Sequence, residues 1–167
     1  MSFEPVQVYL GIGSNIDPET SIRRALEALG QEFGQVQCSP IYWNRAQGFD
    51  GPDFINLVVG FSTSKVFADL DEILKRIEAS CGRDRSSETC KGSRTLDLDI
   101  LLFGSFQGEL NGCHLPRPEI FDRQFVWQPL LALFDQAATL NEFESSIQQQ
   151  LRALSNSINL NNSVSDL

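Results

Sequence analysis

Hydrophobic residues recur along the start of the chain with two different periods. Residues 6–12 are apolar and β-rich, which predicts a strand, and the Gly-Ser-Asn sequence at 13–15 predicts a turn after it. From Thr20 onward the apolar residues follow at helical spacing, and Gly34 stands where a helix often ends. We therefore predict a strand followed by an amphipathic helix.

Further strands and a second helix are predicted in the middle of the chain. Residues 36–43 form a β-rich run broken by Pro40, which favours an edge position or a bulge. Residues 54–61 predict another strand. Ser64 is a candidate cap for a second amphipathic helix, which would end at Gly82.

Two polar segments that contain glycine interrupt this pattern. They are NRAQGFDGPD at 44–53 and GRDRSSETCKGS at 82–93, and neither shows apolar periodicity. Such a composition is typical of loops that carry function. Both segments are candidate lids.

The clearest strand in the sequence is LDLDILLF at 96–103. Gly104 and Gly108 predict a hairpin after it. A proline-containing connection at 116–122 leads into a short helix, and a last helix is predicted over 141–154.

The order of these elements predicts an α+β fold. It fits a ferredoxin-like, split βαβ core, in which an antiparallel or mixed sheet is flanked by helices on both faces. We expect a single domain over residues 1–154 and a flexible tail, rich in Asn and Ser, over 155–167.

Charge and composition narrow the functional classes. The 167-residue chain has 22 acidic and 13 basic residues, a net charge of -9, which does not suit binding to a nucleic-acid backbone. No basic and apolar leader and no long apolar stretch occurs, and the four cysteines form no CxxC pair. We expect a cytoplasmic, monomeric protein with neither a nucleic-acid nor a membrane partner.

Asp97 and Asp99 form the first candidate site. The two carboxylates would share one face of the 96–103 strand, while the apolar residues between them face the core. Paired carboxylates raise each other's pKa unless a cation neutralises them, and Mg²⁺ is the usual cation where phosphates are handled. The alternative is an ordinary acidic strand that faces solvent.

Several basic residues lie close in sequence to this acidic pair. Arginine offers planar donors that match phosphate oxygens, so carboxylates with a metal and several arginines could hold a polyphosphate. The alternative is a set of surface ion pairs. The basic residues concerned are Arg83, Arg85, Lys91 and Arg94.

Other catalytic and nucleotide-binding motifs are absent from the sequence. There is no GxxxxGK[ST], and the Gly11 and Gly13 pair lacks the third glycine of a dinucleotide-binding turn. The single histidine, His114, leaves little basis for a Ser-His or Cys-His nucleophile or for a histidine-rich zinc site.

Phe54, Asn56 and Phe125 could bind a flat heterocycle. Phe54 and Asn56 would share one face of a strand directly after the first candidate lid. Two rings and an amide can sandwich such a ligand and hydrogen-bond its edge. The alternative is that both phenylalanines belong to the core.

Taken in order, these motifs closely resemble one family, the 6-hydroxymethyl-7,8-dihydropterin pyrophosphokinases of folate biosynthesis. The string RTLDLDI at 94–100 is the most specific match. The other matching positions are 13–15, Phe54, Asn56, Glu78, Gly82, Arg83, Leu115, Pro116, Arg123, Phe125 and Pro129.

The resemblance implies transfer of diphosphate from ATP to a pterin alcohol. Asp97 and Asp99 would bind two Mg²⁺ ions, and together with Arg83 and Arg94 they would be the catalytic residues. ATP contacts would come from Glu78, Arg83, Arg85, Arg94, Ile100, Arg117 and Arg123. Pterin contacts would come from Asn44, Gln47, Phe54, Asn56 and Phe125.

Three positions depart from the family pattern. Lys91 stands where a Trp is usual, Arg117 where a His is usual, and Asn44 where Thr or Ser is common. Two other functions therefore stay open: a related ATP-dependent transferase for another small alcohol, and a diverged pterin- or nucleotide-binding module without turnover.

Overall fold

The computed structural model describes residues 3–46, 50–82 and 96–165. Its main sheet has five strands, and all of their pairings are antiparallel. The central strand β1 (Val6–Ser14) lies between β4 (Phe54–Thr63) and β5 (Asp97–Phe103). The short strands β2 (Gln37–Cys38) and β3 (Tyr42–Asn44) both pair with the outer side of β4. Since Pro40 separates them, the predicted edge strand is interrupted where expected.

Helices cover both faces of this sheet. α1 (Pro18–Phe33) and α2 (Phe67–Ser80) pack on one face through Ile22, Leu29, Leu70 and Leu74. On the other face lie α3 (Glu119–Asp122), α4 (Gln124–Gln136) and α5 (Glu142–Ser165), whose buried side chains include Ile120, Leu130, Phe134, Ile147 and Leu151. The predicted α+β fold with helices on both faces is confirmed.

The chain turns later after β1 than the sequence predicts. Gly13 and Ser14 belong to the strand, where they pair with Asn56 and Ile55 of β4. The turn predicted at 13–15 is wrong in its first two residues, because cross-strand pairing outweighs the local turn preference of Gly and Ser. The strand therefore reaches the region of the candidate site.

Ser64 does not cap α2, contrary to the prediction. The helix begins at Phe67, and the capping position is Val66, which has no side-chain acceptor. The Thr63 hydroxyl instead accepts a hydrogen bond from the Lys65 amide at 3.1 Å. Packing fixes this start, because the Phe67 ring lies edge-on to Phe103 with the ring centroids 5.6 Å apart.

A hairpin follows β5, but it does not include that strand. β6 (Gly108–Leu110) and β7 (Cys113–Leu115) pair with each other and form a separate two-stranded sheet. Asn111 and Gly112 form the turn with φ of 49° and 77°, the conformation that Asn-Gly favours in tight hairpins. The hairpin predicted after the 96–103 strand is therefore present and begins at Gly108, while its tight turn is formed by Asn111 and Gly112.

α5 continues to Ser165, so its predicted end at Leu154 is wrong. Leu154 and Ile158 both pack against the core on this side of the sheet, which extends the helix past the expected boundary. The residues after Leu154 are mostly polar, so the sparse apolar stripe that continues the helix was not recognised from the sequence. A flexible tail at 155–167 stays a prediction.

A buried hydrogen bond fastens the start of α5 to the sheet. The Tyr9 hydroxyl donates to Glu144 Oε1 at 3.1 Å, and Glu144 Oε2 accepts from the Asn141 amide at 3.0 Å. In return, Asn141 Oδ1 accepts from the Glu144 amide at 2.8 Å. This is a reciprocal cap of the helix with a tyrosine added. Burial, and then the Glu144 charge, raise the pKa of Tyr9 well above its ordinary value, so the phenol stays a donor.

Tyr9→Phe should lower the free energy of unfolding by about 1–3 kcal/mol, because the buried Glu144 carboxylate loses a donor. Denaturant-induced unfolding measures this change. Tyr42→Phe is the matched control, since the half-buried Tyr42 lies on the edge strand β3. Equal effects of the two substitutions would contradict the proposed anchor.

Candidate active site

A row of four paired residues crosses the sheet at one end. Tyr42 of β3 pairs with Asn56 of β4, Asn56 pairs with Gly13 of β1, and Gly13 pairs with Asp97 of β5. Paired residues in adjacent strands point to the same face of a sheet. Alternation from Asn56 to the buried Val58 places the row on the face that α4 and α5 cover further along. The amide and the carboxylate are thus separated by a glycine.

The pattern of β5 sends its acidic and apolar residues to opposite faces. Leu98 and Ile100 are buried in the core under α1 and α2, whereas Asp97 and Asp99 are only partly buried. Asp97 and Asp99 are paired with Gly13 and Gly11 of β1. The structure therefore places the two carboxylates on one face, as the alternation in the sequence predicted.

Arg117 lies beside this acidic pair, and several contacts hold it there. Its Nε donates to the Ile100 carbonyl oxygen at 3.0 Å, and its Nη2 donates to Cys113 Sγ at 3.3 Å. The main-chain amide of Arg117 donates to the Leu101 carbonyl oxygen at 3.0 Å. Arg117 Nη2 is 3.9 Å from Asp99 Oδ1. A fixed positive charge thus stands next to one of the two carboxylates.

The electrostatics of Asp99 favour a bound cation. Partial burial raises its pKa to about 6, the negative charge of Asp97 adds to the rise, and Arg117 opposes it. The ionised form of Asp99 is therefore less stable in this site than in water, and a further positive charge would stabilise it. Among the residues that the structure describes, no group of three or more His, Cys, Asp or Glu side chains is arranged to hold a metal. A carboxylate pair leaves ligand positions for water and phosphate oxygens, which suits Mg²⁺.

Mg²⁺ should bind about tenfold more weakly at about pH 5 than at about pH 7.5, because a proton then competes for a carboxylate with a pKa of about 6. The sign follows from the raised pKa: protonated Asp99 is favoured below it, and the ionised ligand above it. Calorimetric titration of the protein with Mg²⁺ at both pH values measures the change. An affinity that stays constant over this range would contradict it.

A hydrogen bond between two side-chain amides fixes Asn56. Its Nδ2 donates to Asn44 Oδ1, and Asn44 Nδ2 in turn donates to the Arg45 carbonyl oxygen at 3.0 Å. Asn56 is only 8% exposed. Because Asn44 pairs with Phe54 one row further on, the structure brings together three of the predicted pterin-binding residues, Asn44, Phe54 and Asn56.

Phe125 and Arg123 come from the start of α4. Arg123 is the exposed N-cap residue of the helix, and the half-buried Phe125 lies in its first turn. α4 packs on β4 and also contacts β3. Both side chains therefore belong to the same side of the sheet as Phe54, and their binding roles remain predictions.

Glu78 and Ile100 are both largely buried. Glu78 is 6% exposed near the end of α2, where the chain leaves the helix through Gly82. The Ile100 side chain lies in the core, and its carbonyl oxygen already accepts from Arg117. A contact of Ile100 with ATP would therefore have to use its main chain. Both assignments stay predictions.

Several predicted site residues lie outside the described residues. These are Gln47 of the first candidate lid, together with Arg83, Arg85, Lys91 and Arg94 of the segment before β5. Most of the second candidate lid, including Cys90, also falls there.

The sequence assigned Asn15 only to the turn at 13–15 and to the family match, whereas the structure places it beside the first candidate lid. Its Nδ2 donates to the Pro52 carbonyl oxygen at 3.1 Å, and the residue is 3% exposed. A buried amide at this point holds the end of the 44–53 segment against the end of β1. The signal was an Asn that directly follows an apolar strand, where polar side chains commonly support loops.

Comparison with known proteins gives consistent matches. A family model described as 7,8-dihydro-6-hydroxymethylpterin-pyrophosphokinase matches residues 9–135. The chain is 37% identical over 132 residues to the 2-amino-4-hydroxy-6-hydroxymethyldihydropteridine pyrophosphokinase of Bacillus subtilis, covering 77% of this chain and 78% of that protein. A protein of the same name from Pseudomonas aeruginosa is 38% identical, with 76% and 80% covered. Another from Haemophilus influenzae is 33% identical, with 77% and 81% covered. The stretch that the family model matches contains every site residue from Gly13 to Phe125.

Proposed function

The chain belongs to the 7,8-dihydro-6-hydroxymethylpterin-pyrophosphokinase family, and from that premise we propose how its own residues carry out the reaction. The enzyme transfers a diphosphate group from ATP to the hydroxymethyl oxygen of 6-hydroxymethyl-7,8-dihydropterin, a step of folate biosynthesis. The observation that carries the residue assignment is the row across the sheet. It sets the Asn56 amide and the Asp97 carboxylate on either side of Gly13.

Asp97 and Asp99 would hold two Mg²⁺ ions. Bound there, the ions would neutralise the charge on the ATP phosphates. The support is the shared face of the two carboxylates and the raised pKa of Asp99, which a cation would offset.

Arginines would fix the triphosphate, with the charge of Arg117 held beside Asp99 and Arg123 standing at the start of α4. Guanidinium groups match phosphate oxygens in geometry and keep their charge at all relevant pH values. Arg83, Arg85 and Arg94 would add further contacts, and Glu78 and Ile100 would contact the nucleotide.

Asn56 would recognise the polar edge of the pterin, supported by Asn44. A pterin edge presents donors and acceptors in a plane, and an amide can pair with both kinds. Phe54 and Phe125 would stack on the two faces of the ring, and Gln47 would contribute from the first candidate lid. The support is that β3, β4 and α4 bring Asn44, Phe54, Asn56 and Phe125 to one side of the sheet.

The hydroxymethyl oxygen attacks the β-phosphorus of ATP. A new oxygen–phosphorus bond forms, the bond between the β-phosphorus and the bridging oxygen to the α-phosphate breaks, AMP leaves and the hydroxyl proton passes to water. The residues at the site position the reactants in line and offset charge, rather than supplying a strong base. The single histidine, His114, is exposed on the separate β6–β7 hairpin. This agrees with a reaction that does not use a histidine base.

Incubation of the purified protein with ATP, Mg²⁺ and 6-hydroxymethyl-7,8-dihydropterin tests the assignment. AMP and the pterin diphosphate are the expected products. ADP would indicate ordinary phosphoryl transfer, and absence of any turnover despite pterin binding would favour a binding module. Turnover with another small alcohol but not with the pterin would favour a related transferase.

We also propose that a single domain over residues 1–154 carries the activity, and that the protein works as a monomer in the cytoplasm. Cys38, Cys81 and Cys113 are free thiols in the described part of the chain, which suits a reducing compartment.

A further inference from the structure

Gly13 lies between the two halves of the site in ordinary strand geometry. It pairs with Asn56 on one side and with Asp97 on the other. The glycines with positive φ in the described chain are Gly34, Gly82, Gly104, Gly108 and Gly112, and Gly13 is not among them. Its backbone therefore does not require glycine, and another reason for the missing side chain must be sought.

The missing side chain leaves the space that Asn56 uses. A Cβ placed on Gly13 would lie 3.0 Å from Asn56 Oδ1 and 3.9 Å from Phe54 Cδ1. The first distance is tighter than nine in ten real contacts of a Cβ atom, so the Asn56 amide would have to shift by a few tenths of an ångström. That amide donates to Asn44 Oδ1, and a shift would weaken this second contact. One methyl group on β1 would thus disturb an amide pair on β4 and β3.

We propose that Gly13 is a positioning residue for pterin recognition, which acts through the Asn56 amide. The ligand that this arrangement selects is a flat, fused heterocycle with hydrogen-bonding groups on its edge. The inference rests on the proposed function, because it assigns Asn56 to the pterin edge. It adds that the strand glycine sets where this amide stands.

Gly11 provides a matched comparison on the same strand and face. It pairs with Val58 and Asp99, as Gly13 pairs with Asn56 and Asp97. The three heavy atoms nearest to a Cβ on Gly11 all belong to the Leu101 side chain, and the nearest lies at 3.5 Å, an ordinary van der Waals distance. The two glycines differ mainly in whether a side chain would displace an amide of the site.

The first experiment compares Gly13→Ala with Gly11→Ala in the full chain. Gly13→Ala should raise the KM for the pterin about tenfold and leave the KM for ATP within about twofold, because only the amide is displaced. Gly11→Ala should keep both KM values within about twofold of the original. Calorimetric titration with the pterin, in the presence of an ATP analogue that cannot be cleaved, should show the same tenfold weakening for Gly13→Ala alone.

A second experiment asks whether the effect passes through Asn56. In an Asn56→Ala background the displaced atom is missing, so adding Gly13→Ala should change the KM for the pterin by less than about twofold. A further tenfold rise in that background would overturn the proposal. An unchanged KM for the pterin in Gly13→Ala alone would overturn it as well.

Two more outcomes separate this proposal from its alternatives. Loss of the folded state in Gly13→Ala, measured by thermal unfolding, would assign the glycine to the fold and overturn the proposal. If the original protein made no AMP from ATP and the pterin, the proposed function itself would fail. The pterin titration of Gly13→Ala would then still decide whether Gly13 governs ligand binding.

Discussion

Asp97→Asn and Asp99→Asn should each lower kcat at least about a thousandfold, which corresponds to about 4 kcal/mol of transition-state stabilisation. An amide keeps the shape of the carboxylate but removes the charge that would hold Mg²⁺. The two carboxylates share one face of β5, and the structure describes no third acidic or histidine ligand arranged with them to hold a metal. Loss of either charge would leave a single carboxylate of this pair to hold the cation. Product analysis for AMP under saturating ATP and Mg²⁺ measures the loss.

Asp135→Asn is the matched control for this pair. Asp135 also forms an ion pair with an arginine, Arg152, but on the outer surface of α4 and α5. We expect the kcat of Asp135→Asn to stay within about twofold of that of the unsubstituted protein, because exposed ion pairs contribute little to stability. Near-normal activity of both Asp97→Asn and Asp99→Asn would remove the proposed metal site.

Stability should respond to Asp99→Asn in the opposite direction from activity. Partial burial and the Asp97 charge raise the pKa of Asp99 to about 6, so the folded state favours the protonated form more than the unfolded state does. The stabilising contribution of this group is thus present at low pH and is lost as the pH rises through about 6. A neutral Asn should accordingly leave the metal-free protein at least as stable at neutral pH.

Local sequence patterns predicted the elements that carry the site. The alternation in LDLDILLF placed Asp97 and Asp99 on the face opposite Leu98 and Ile100, because side chains two residues apart in a strand share a face. The apolar stripe of α1 and the glycine after it fixed a helix that ends at Phe33, as expected. Errors arose where packing decided the boundary, as at the start of α2 and the end of α5.

The contacts across the site were beyond the reach of these patterns. The row of Asn56, Gly13 and Asp97 depends on the register of three strands, and register follows from the whole buried face rather than from one segment. The position of Arg117 beside Asp99 depends on how the segment after β7 packs back against β5. Sequence could name these residues as candidates, but only the fold brings them together.

Arg117→Ala should lower kcat/KM for ATP about a hundredfold, as loss of a fixed donor to a developing charge commonly does. The guanidinium is held by the Ile100 carbonyl and by Cys113 Sγ, so it needs little reorganisation when phosphate arrives. Its closeness to Asp99 places the charge beside the proposed metal ligands. Steady-state kinetics with varied ATP at saturating pterin measures the loss.

Arg117→Lys and Arg152→Ala make this prediction specific. Lysine keeps the charge but cannot donate from a planar group to Ile100 and Cys113 at once, so we expect an intermediate loss of about tenfold. Arg152→Ala removes an exposed arginine that is also paired with an aspartate, and its kinetics should stay within about twofold of the original. If Arg117→Ala matched Arg152→Ala in activity, Arg117 would serve only to hold β5 and β7 together. If Arg117 contacts phosphate, kcat/KM for ATP should be highest in the unsubstituted protein, lower in Arg117→Lys and lowest in Arg117→Ala. Charge and geometry each contribute to transition-state stabilisation.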